Sequence, residues 1–353
     1  MRHSSFADSL TRFRQGGGMN EPLTITLKTL TPLWTGGADG KSDRLHATGI
    51  IGSLRWWYEA VVRGLGGEAC DPVEHPCIYD AEQPHTGLCL GCQMFGATGW
   101  ARRFRLTIED RTGAGGPDGT KQPTGNRYKG DGKTRPSWYF KGGRIGELTI
   151  KIVPTASDFD PVGILGPLVL IERWGGLGAK PQLGYGQIKI ESAPSLDPDE
   201  FARGVQTIAA TQPGTRPDLP SLDRMFFAEM QAPDAGVTAT LNVKYDLRAA
   251  FRTAFDGNQT LRHWVCGSVR GEQRQASKIS ISQAVNGAVR VWGWIPENVP
   301  AGATRDQVVD KIRAALEVYG TLRYWREFDS GRDSLGRQRD IAAYLISLLE
   351  ESL

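Results

Sequence analysis

The stretch Trp174–Ile190, WGGLGAKPQLGYGQIKI, carries five glycines, at positions 175, 176, 178, 184 and 186. Glycine is needed where the backbone takes positive φ, or where another group must approach the backbone closely. The preceding segment, DPVGILGPLVLIERW at 160–174, is typical of an apolar helix, and GQIKIES at 186–192 alternates as a strand does. A helix therefore enters this glycine loop and a strand leaves it.

A phosphate ligand would explain such a loop, but the two common nucleotide-binding loops do not fit it. The Walker loop and the dinucleotide-binding loop both lie between a strand and the helix whose N-terminus binds the phosphate. Here that order is reversed, and neither glycine pattern is present in the stretch. Two interpretations remain open. Backbone amides with Lys180, Gln182 and Tyr185 hold a sugar-phosphate backbone, or the loop is a turn that lets two domains pack closely.

The residues that precede the loop predict a ferredoxin-like first domain. Period-two alternation predicts strands at 23–34, 104–110 and 146–154, and helical spacing predicts a helix from Thr48 to Leu65. With the helix and strand around the loop, the order is β-α-β-β-α-β, which is the ferredoxin-like or RRM-like arrangement. We assign residues 19–192 to this domain. It includes a cysteine cluster at 70–92 and a Gly-rich, basic insertion at 111–144, and residues 1–18 precede it as a flexible lead-in.

The second half predicts a related domain. Residues 193–240 are interpreted as a connector with one helical piece around SLDRMFFAEM, and residues 241–353 as the second domain. In this half, ATLNVKYDL, the end of LRHWVCGSVRGEQRQASKISIS and AVRVWGWIP predict strands, and Arg305–Phe328 predicts a helix. Residues 94–108 and 265–281 share a small-residue turn, basic residues and a strand, which indicates a weak internal repeat. The fold class expected is α+β, with two ferredoxin-like domains.

Four of the five cysteines, Cys70, Cys77, Cys89 and Cys92, fall in one short segment. The final C-x-x-C spacing is typical of half of a tetrahedral zinc site, and His75 or His85 could replace one of the thiols. We predict a structural zinc ion that holds together a Pro-rich segment with little core of its own. The alternative is a set of reduced, buried thiols.

Composition limits the class of protein. The chain of 353 residues is 39% hydrophobic and has a net charge of +3, so a basic surface must be local. No apolar stretch approaches the roughly 20 residues that a membrane span needs, and the start has no apolar signal region. Together with the clustered cysteines, these features indicate a soluble cytoplasmic protein that binds metal rather than one stabilised by disulfides.

Three motifs in order resemble the RAMP superfamily of CRISPR proteins. They are HATGIIGSLRWWYEAVVRG at 46–64, CLGCQMFGATGWARRFRL at 89–106 and the glycine loop. Within that superfamily, the region from about Leu23 to Ile190 resembles the first subunits of the type III-B Cmr RNA-guided effector complexes. One departure is that the loop holds a single cation, Lys180, where RAMP loops are often more basic.

The resemblance implies a non-catalytic subunit that acts in antiviral defence together with the other RAMP subunits of a Cmr complex. Such a subunit holds the 3′ portion of the guide RNA, where the target RNA pairs, and residues 111–144 would extend over the RNA duplex. The predicted RNA contacts are mainly basic or polar residues and two loop glycines: Lys41, Ser53, Arg55, Arg102, Arg103, Arg105, Arg127, Lys129, Gly178, Lys180, Gln182, Gly184, Tyr185, Arg270, Arg274 and Lys278.

Two enzymatic alternatives stay open at this point. One is a metal-independent endoribonuclease that matures guide RNA, with His46 as the general acid or base because its ordinary pKa suits that work. The other is a free-standing zinc enzyme. No paired carboxylates and no Ser-His-Asp or Cys-His pattern can be recognised in the sequence, so we assign no catalytic residue.

Overall fold

The computed structural model describes residues 22–37, 39–82, 87–129, 131–157, 159–254, 259–269, 274–300 and 302–350. The predicted lead-in at 1–18 lies outside these residues, and so do His85 and Arg270. The described strands are β1 (Leu23–Thr29), β2 (Phe104–Gly115), β3 (Gly119–Lys121), β4 (Trp138–Phe140), β5 (Gly143–Pro154), β6 (Ile188–Ser192), β7 (Met225–Gln231), β8 (Ile279–Ile281), β9 (Ala288–Trp294) and β10 (Thr321–Glu327).

The described helices are α1 (Ala47–Gly64), α2 (Leu90–Phe95), α3 (Val162–Trp174), α4 (Pro198–Thr211), α5 (Gly236–Ala254), α6 (Gln259–Cys266), α7 (Arg305–Tyr319) and α8 (Ile341–Glu350). The protein is thus a mixed α+β structure whose sheets are antiparallel. Among the helices described, none is long and apolar enough to cross a membrane.

The first sheet has the strand order β2-β5-β1-β6. This is the order expected of a β-α-β-β-α-β unit, with α1 after its first strand and α3 before its last. Alternation along β1 explains the layering, because Ile25 and Leu27 are fully buried while Thr24 and Lys28 face solvent. The strands and helices predicted for this region from the sequence are confirmed, with ends that differ by up to five residues.

The second sheet has the order β10-β7-β9-β8, which repeats that of the first sheet when β7 is counted as its first strand. Three predictions were wrong here. The segment around MFFAEM forms strand β7 rather than a helix, ATLNVKYDL lies within helix α5 rather than a strand, and the helix from Arg305 ends at Tyr319, before β10. The predicted connector therefore contributes a central strand of the second sheet.

Burial explains the first two errors. Six of the seven residues of β7 are buried, from Met225 to Met230, and only Glu229 among these six is polar. The sequence of the strand therefore shows no clear alternation of apolar and polar residues. Helix α5 buries Ala239, Val243, Leu247 and Phe251, and this spacing of four also fits a period of two. The spacing of apolar residues alone therefore could not distinguish a helix from a strand in this segment.

The two sheets are joined through the helices of the first unit. The ring of Phe227 in β7 lies 6.2 Å from that of Trp57 in α1 and 5.7 Å from that of Trp174 in α3, measured between centroids. Phe226, on the opposite face of β7, stacks on Trp325 at 5.0 Å. The second sheet is therefore covered on both faces. Helix α8 returns to the first unit, where Trp174 Nε1 donates a hydrogen bond of 2.9 Å to Leu348 O.

The insertion at 111–144 is more regular than the sequence predicts. Strand β2 continues to Gly115 and pairs with β5 as far as Gly143, and the short strands β3 and β4 pair with each other. Helix α5 holds the remainder in place, because Asn242 Oδ1 accepts a hydrogen bond from Thr124 N at 2.9 Å and Tyr245 Oη donates one to Tyr128 O at 2.6 Å.

Candidate metal centre and cationic surface

The four clustered cysteines come together at one point. The sulfur atoms of Cys70, Cys77, Cys89 and Cys92 all lie within 4.8 Å of one another, and three of the residues are buried. Sulfurs about 3.8 Å apart are what zinc–sulfur bonds of about 2.3 Å give in a tetrahedral site, and Cys70 and Cys92 stand 3.5 Å apart. These four cysteines lie close enough together to hold a metal ion. The described His75 is exposed and is not part of the group.

Because the thiols lie so close together, their pKa values shift in opposite directions. Hydrogen bonding with Cys89 raises the pKa of Cys70 to about 12. Contact with Cys70 raises the pKa of Cys92 and lowers that of Cys89. These pKa directions favour the thiolate form at Cys89 over Cys70 and Cys92 when no cation is bound. A divalent cation would allow all four to ionise, because metal binding displaces the thiol protons.

Arg55 belongs to this centre, which corrects its prediction as a surface RNA contact. Its side chain is 17% exposed. Its Nη2 donates to Cys92 Sγ at 3.1 Å, its Nη1 to Gly96 O at 3.0 Å, and its Nε to Glu59 Oε1 at 2.6 Å. Arg63 donates to the other oxygen of Glu59 at 3.3 Å and to Cys70 O at 2.8 Å. Residues spaced by four along α1 thus connect this helix to the cysteine segment.

Gly178 and Gly184 contact protein atoms closely. Both have positive φ, 78° and 81°. A Cβ added at Gly178 would lie 2.6 Å from Trp34 O, and one at Gly184 would lie 2.6 Å from Gln283 Cγ and 2.8 Å from Gln283 N. Trp34 belongs to the first unit and Gln283 to the second. The geometry thus supports close packing as the reason for both glycines, within the first unit at Gly178 and between the two units at Gly184.

The polar side chains of the loop have different environments. Tyr185 is 1% exposed and donates from Oη to Lys141 O at 2.6 Å, so its prediction as an accessible RNA contact is wrong. The Gln182 carbonyl accepts from Lys244 Nζ at 3.1 Å. Lys180 Nζ lies 3.1 Å from the centroid of the Trp34 ring, a cation–π contact.

Two of these lysines are partly desolvated. Burial lowers the pKa of Lys180 to about 8, and the charge of Lys141 adds to that effect. Burial likewise lowers the pKa of Lys244 to about 8, with a smaller contribution from Arg248. Both amines are therefore mostly protonated at neutral pH, but they lose the proton at a lower pH than a lysine in water.

Several other predicted contacts are already paired within the protein. Arg127 was predicted to contact RNA, but its Nε and Nη2 bind both carboxylate oxygens of Asp246 at 2.9 and 2.6 Å, which fixes the insertion to α5. Lys278 Nζ makes cation–π contacts with Trp264 and Trp294, 4.5 and 4.9 Å from their ring centroids.

The remaining predicted contacts lie nearer the surface. Arg102 donates to Phe104 O, Arg103 lies over Trp100, Lys41 pairs with Asp39 and Ser53 is half-buried. Arg105, Lys129 and Arg274 are exposed. Of the predicted contacts, only some are therefore exposed, and several are held by partners within the protein.

The tertiary structure instead brings together cations that sequence analysis did not single out. Lys244 and Arg248 lie one turn apart on α5, and Lys141 follows β4. Within the described part of the chain, neither these three nor Lys180 has a carboxylate oxygen within 4.0 Å. A helical interpretation of 236–254 would have placed Lys244, Arg248 and Arg252 on one face, because they are spaced by four.

His46, the candidate acid or base, begins helix α1 at the N-cap position and makes no capping bond. Its Nε2 lies 3.2 Å from Asp43 Oδ1. That contact holds the pKa of the Asp43 carboxyl below its usual value.

Comparison with protein-family models finds one family that is similar to part of this chain. Residues 26–189, just under half of the chain, match the model of the RAMP superfamily. No curated protein matches the chain. Among solved structures, the crystal structure of apo Cmr1 from Pyrococcus furiosus is similar at 14% identity and a TM-score of 0.48, over 86% of this chain and 98% of that one.

Two cryo-EM structures of Type III-B Cmr-beta are also similar. The one bound to cognate target RNA and AMPPnP in the presence of ssDNA matches at 11% identity and a TM-score of 0.48, over 85% of this chain and 99% of that one. The one bound to cognate target RNA matches at 11% identity and a TM-score of 0.41, over 84% and 99%. The region 26–189 is thus similar to the RAMP superfamily, the family that the three sequence motifs resemble.

Proposed function

We propose that this protein is an RNA-binding structural subunit of a type III CRISPR effector complex of the Cmr kind, without catalytic activity of its own. It would hold the 3′ portion of the guide RNA and its pairing with target RNA in antiviral defence, beside other RAMP subunits. The observation that carries the proposal is the RAMP match over residues 26–189, which contain α1, the cysteine segment, the insertion and the glycine loop.

We also propose that both units are ferredoxin-like, but that neither binds RNA as an RRM does. RRM sheets stack bases on aromatic side chains. The open face of the first sheet carries Thr24, Lys28, Arg105 and the Glu109–Lys151 ion pair, and no aromatic residue is described among its outward positions. The corresponding face of the second sheet is buried against α1 and α3. RNA would then contact loops and helices, mainly through its backbone.

The metal in the cysteine group is proposed to be zinc in a structural role. Four thiolates complete a tetrahedral shell and leave no open position for substrate or water. The segment that they join, 70–92, contributes only a small cluster of buried residues made largely of the cysteines themselves. The ion would supply the stability that this small cluster lacks.

The experiment is to purify the tagged protein with its complex and to sequence the RNA that co-purifies. Guide RNA enriched for its 3′ portion is expected, and isolated protein should leave labelled guide RNA intact over hours. His46→Ala should not change the activity of the complex. Specific cleavage by the isolated protein that His46→Ala abolishes would replace this proposal with an endoribonuclease.

A further inference from the structure

Helix α5 carries a row of cations along one side. Lys244, at one end of this row, contacts the glycine loop. Lys244 and Arg248 lie one turn apart, and Lys244 Nζ donates to Gln182 O of the loop at 3.1 Å. Arg248 Nη1 donates to the carbonyls of Cys266 and Gly267 at 3.2 and 2.9 Å, which holds its guanidinium at the end of α6. The positions of both charges are thus defined by backbone contacts rather than by acidic partners.

The loop brings further cations to the same place. Lys180 is two residues from Gln182, and its amine rests on Trp34. Lys141 is linked to the loop through its carbonyl, which accepts from Tyr185 Oη at 2.6 Å, and its charge lowers the pKa of Lys180. Three segments that are distant in sequence, the insertion, the loop and α5, therefore contribute four cations to one region.

Among the residues that the structure describes, these four cations have no acidic partner, unlike the neighbouring Arg127. Between Lys244 and Arg248 along α5, Asp246 forms a bidentate ion pair with Arg127. In the described chain, no carboxylate oxygen lies within 4.0 Å of Lys141, Lys180, Lys244 or Arg248. Like charges gathered without counter-ions repel one another, and partial burial strengthens that repulsion. An anion that bound among them would relieve it.

Aromatic residues next to these cations indicate what kind of anion fits. Tyr139, on β4 and two residues before Lys141, is 63% exposed. The half-buried Trp138 ring has Lys244 Nζ 6.0 Å from its centroid. Proteins that bind single-stranded nucleic acid combine a cationic path for the backbone with aromatic faces for the bases. An acidic peptide would use the cations but not an exposed aromatic face.

We propose that Lys141, Lys180, Lys244 and Arg248 form a track for the phosphates of single-stranded RNA, which crosses from the insertion over the glycine loop onto α5, with Tyr139 as a base-stacking face. This inference rests on the proposed function and places the RNA contact at the junction of the two units. The track extends beyond the region 26–189 that matches the RAMP model, because Lys244 and Arg248 lie in the second unit.

The test uses the full-length protein, a labelled single-stranded RNA of guide length, and a salt titration of affinity by fluorescence anisotropy. Lys180→Met and the double variant Lys244→Met/Arg248→Met remove charge and keep an apolar stem. For every phosphate that a variant no longer neutralises, binding should weaken about five- to tenfold near physiological salt and the salt slope should fall by about 0.7. Lys189→Met, an exposed cation on the open face of the first sheet, is the charge-matched control and should bind as wild type.

Tyr139→Ala supplies a second measurement, because it should weaken RNA binding about tenfold with an unchanged salt slope. Melting temperatures of all variants show whether any weakening reflects unfolding. If wild type binds RNA and the track variants, folded, bind equally well, the track is wrong and the proposed function stands. If wild type binds no RNA, the proposed function itself fails. Equal affinity for polyglutamate with the same variant pattern would overturn the assignment to RNA.

Discussion

The guanidinium of Arg55 donates from Nη2 to the sulfur of Cys92, 3.1 Å away. The same side chain also reaches Gly96 O, which follows α2, and Glu59 on its own helix. Hydrogen bonds to ligand sulfurs stabilise the thiolate form that a metal requires, and such outer contacts are worth about 10- to 100-fold in metal affinity. Arg55 thus connects the helix of the first motif to the metal centre.

The first prediction concerns this hydrogen bond. Arg55→Met should weaken zinc binding about 10- to 100-fold and lower the melting temperature, because Glu59 loses a partner in a buried place. Competition with a chromophoric chelator measures the affinity. Arg105→Met, at an exposed position of β2, should change neither quantity. Normal zinc affinity in folded Arg55→Met would show that the hydrogen bond to sulfur is incidental.

The second prediction concerns the cysteines. Cys92→Ser should lose the metal and become sensitive to protease between residues 70 and 95, because the small cluster around the thiols cannot order that segment alone. Cys266→Ser should keep the metal, since Cys266 lies in the core of the second unit. Metal content by mass spectrometry and limited proteolysis decide the matter. A metal-free wild-type protein of normal stability would contradict the zinc assignment.

The third prediction separates the two interpretations of the loop glycines. Gly184→Ala should lower the free energy of unfolding by about 2 kcal/mol or more, because it strains a residue with positive φ and overpacks Gln283. Gly52→Ala, at an exposed helical position with nothing near its Cβ, should instead stabilise by up to about 1 kcal/mol. Denaturant unfolding and RNA affinity are measured on both. A stable Gly184→Ala that no longer binds RNA would favour direct RNA contact at the loop.

The fourth prediction concerns pH. The pKa values of Lys180 and Lys244 are lowered to about 8 in the folded protein, whereas lysine in an unfolded chain titrates near about 10.4. Between these values the unfolded state binds more protons, so the contribution of both residues to stability rises as the pH rises from about 8 to 10. The charged and titratable groups around them are Lys141, Arg248, Tyr185 and Cys266.

RNA affinity should respond in the opposite direction, because phosphate needs the protonated amines. From pH 7 to 9, wild type should lose more affinity than Lys180→Met/Lys244→Met, in which both amines are already absent. Anisotropy titrations at constant ionic strength measure the difference. Parallel pH profiles of the two proteins would show that these amines do not face the RNA.

The fifth prediction concerns the layer between the sheets. Phe227→Ala should cost about 3–5 kcal/mol, because this ring contacts Trp57 and Trp174 of the first unit. Wild type should unfold in one transition, since the two units share this core. Two separate transitions in wild-type calorimetry would mean that the units fold independently.

The sequence by itself determined the chemistry that sits close together along the chain. The four cysteines, the alternation of β1 and β5 and the apolar spacing of α1 and α3 are local signals, and the structure confirms each of these elements. The strand order of the first unit followed from the same signals, because a β-α-β-β-α-β series has few compact arrangements.

The tertiary structure decided what depends on burial and on distant neighbours. Strand β7 loses alternation because both of its faces are covered, so it could not be told from a helix. The sequence predicts Arg55 and Arg127 as surface cations, but in the structure their partners come from the segment around α2 and from α5. Lys141, Lys180, Lys244 and Arg248 come together only in three dimensions. Charge and hydrophobicity are properties of a residue, but pairing and solvation are properties of its surroundings, which are assembled from segments far apart in sequence.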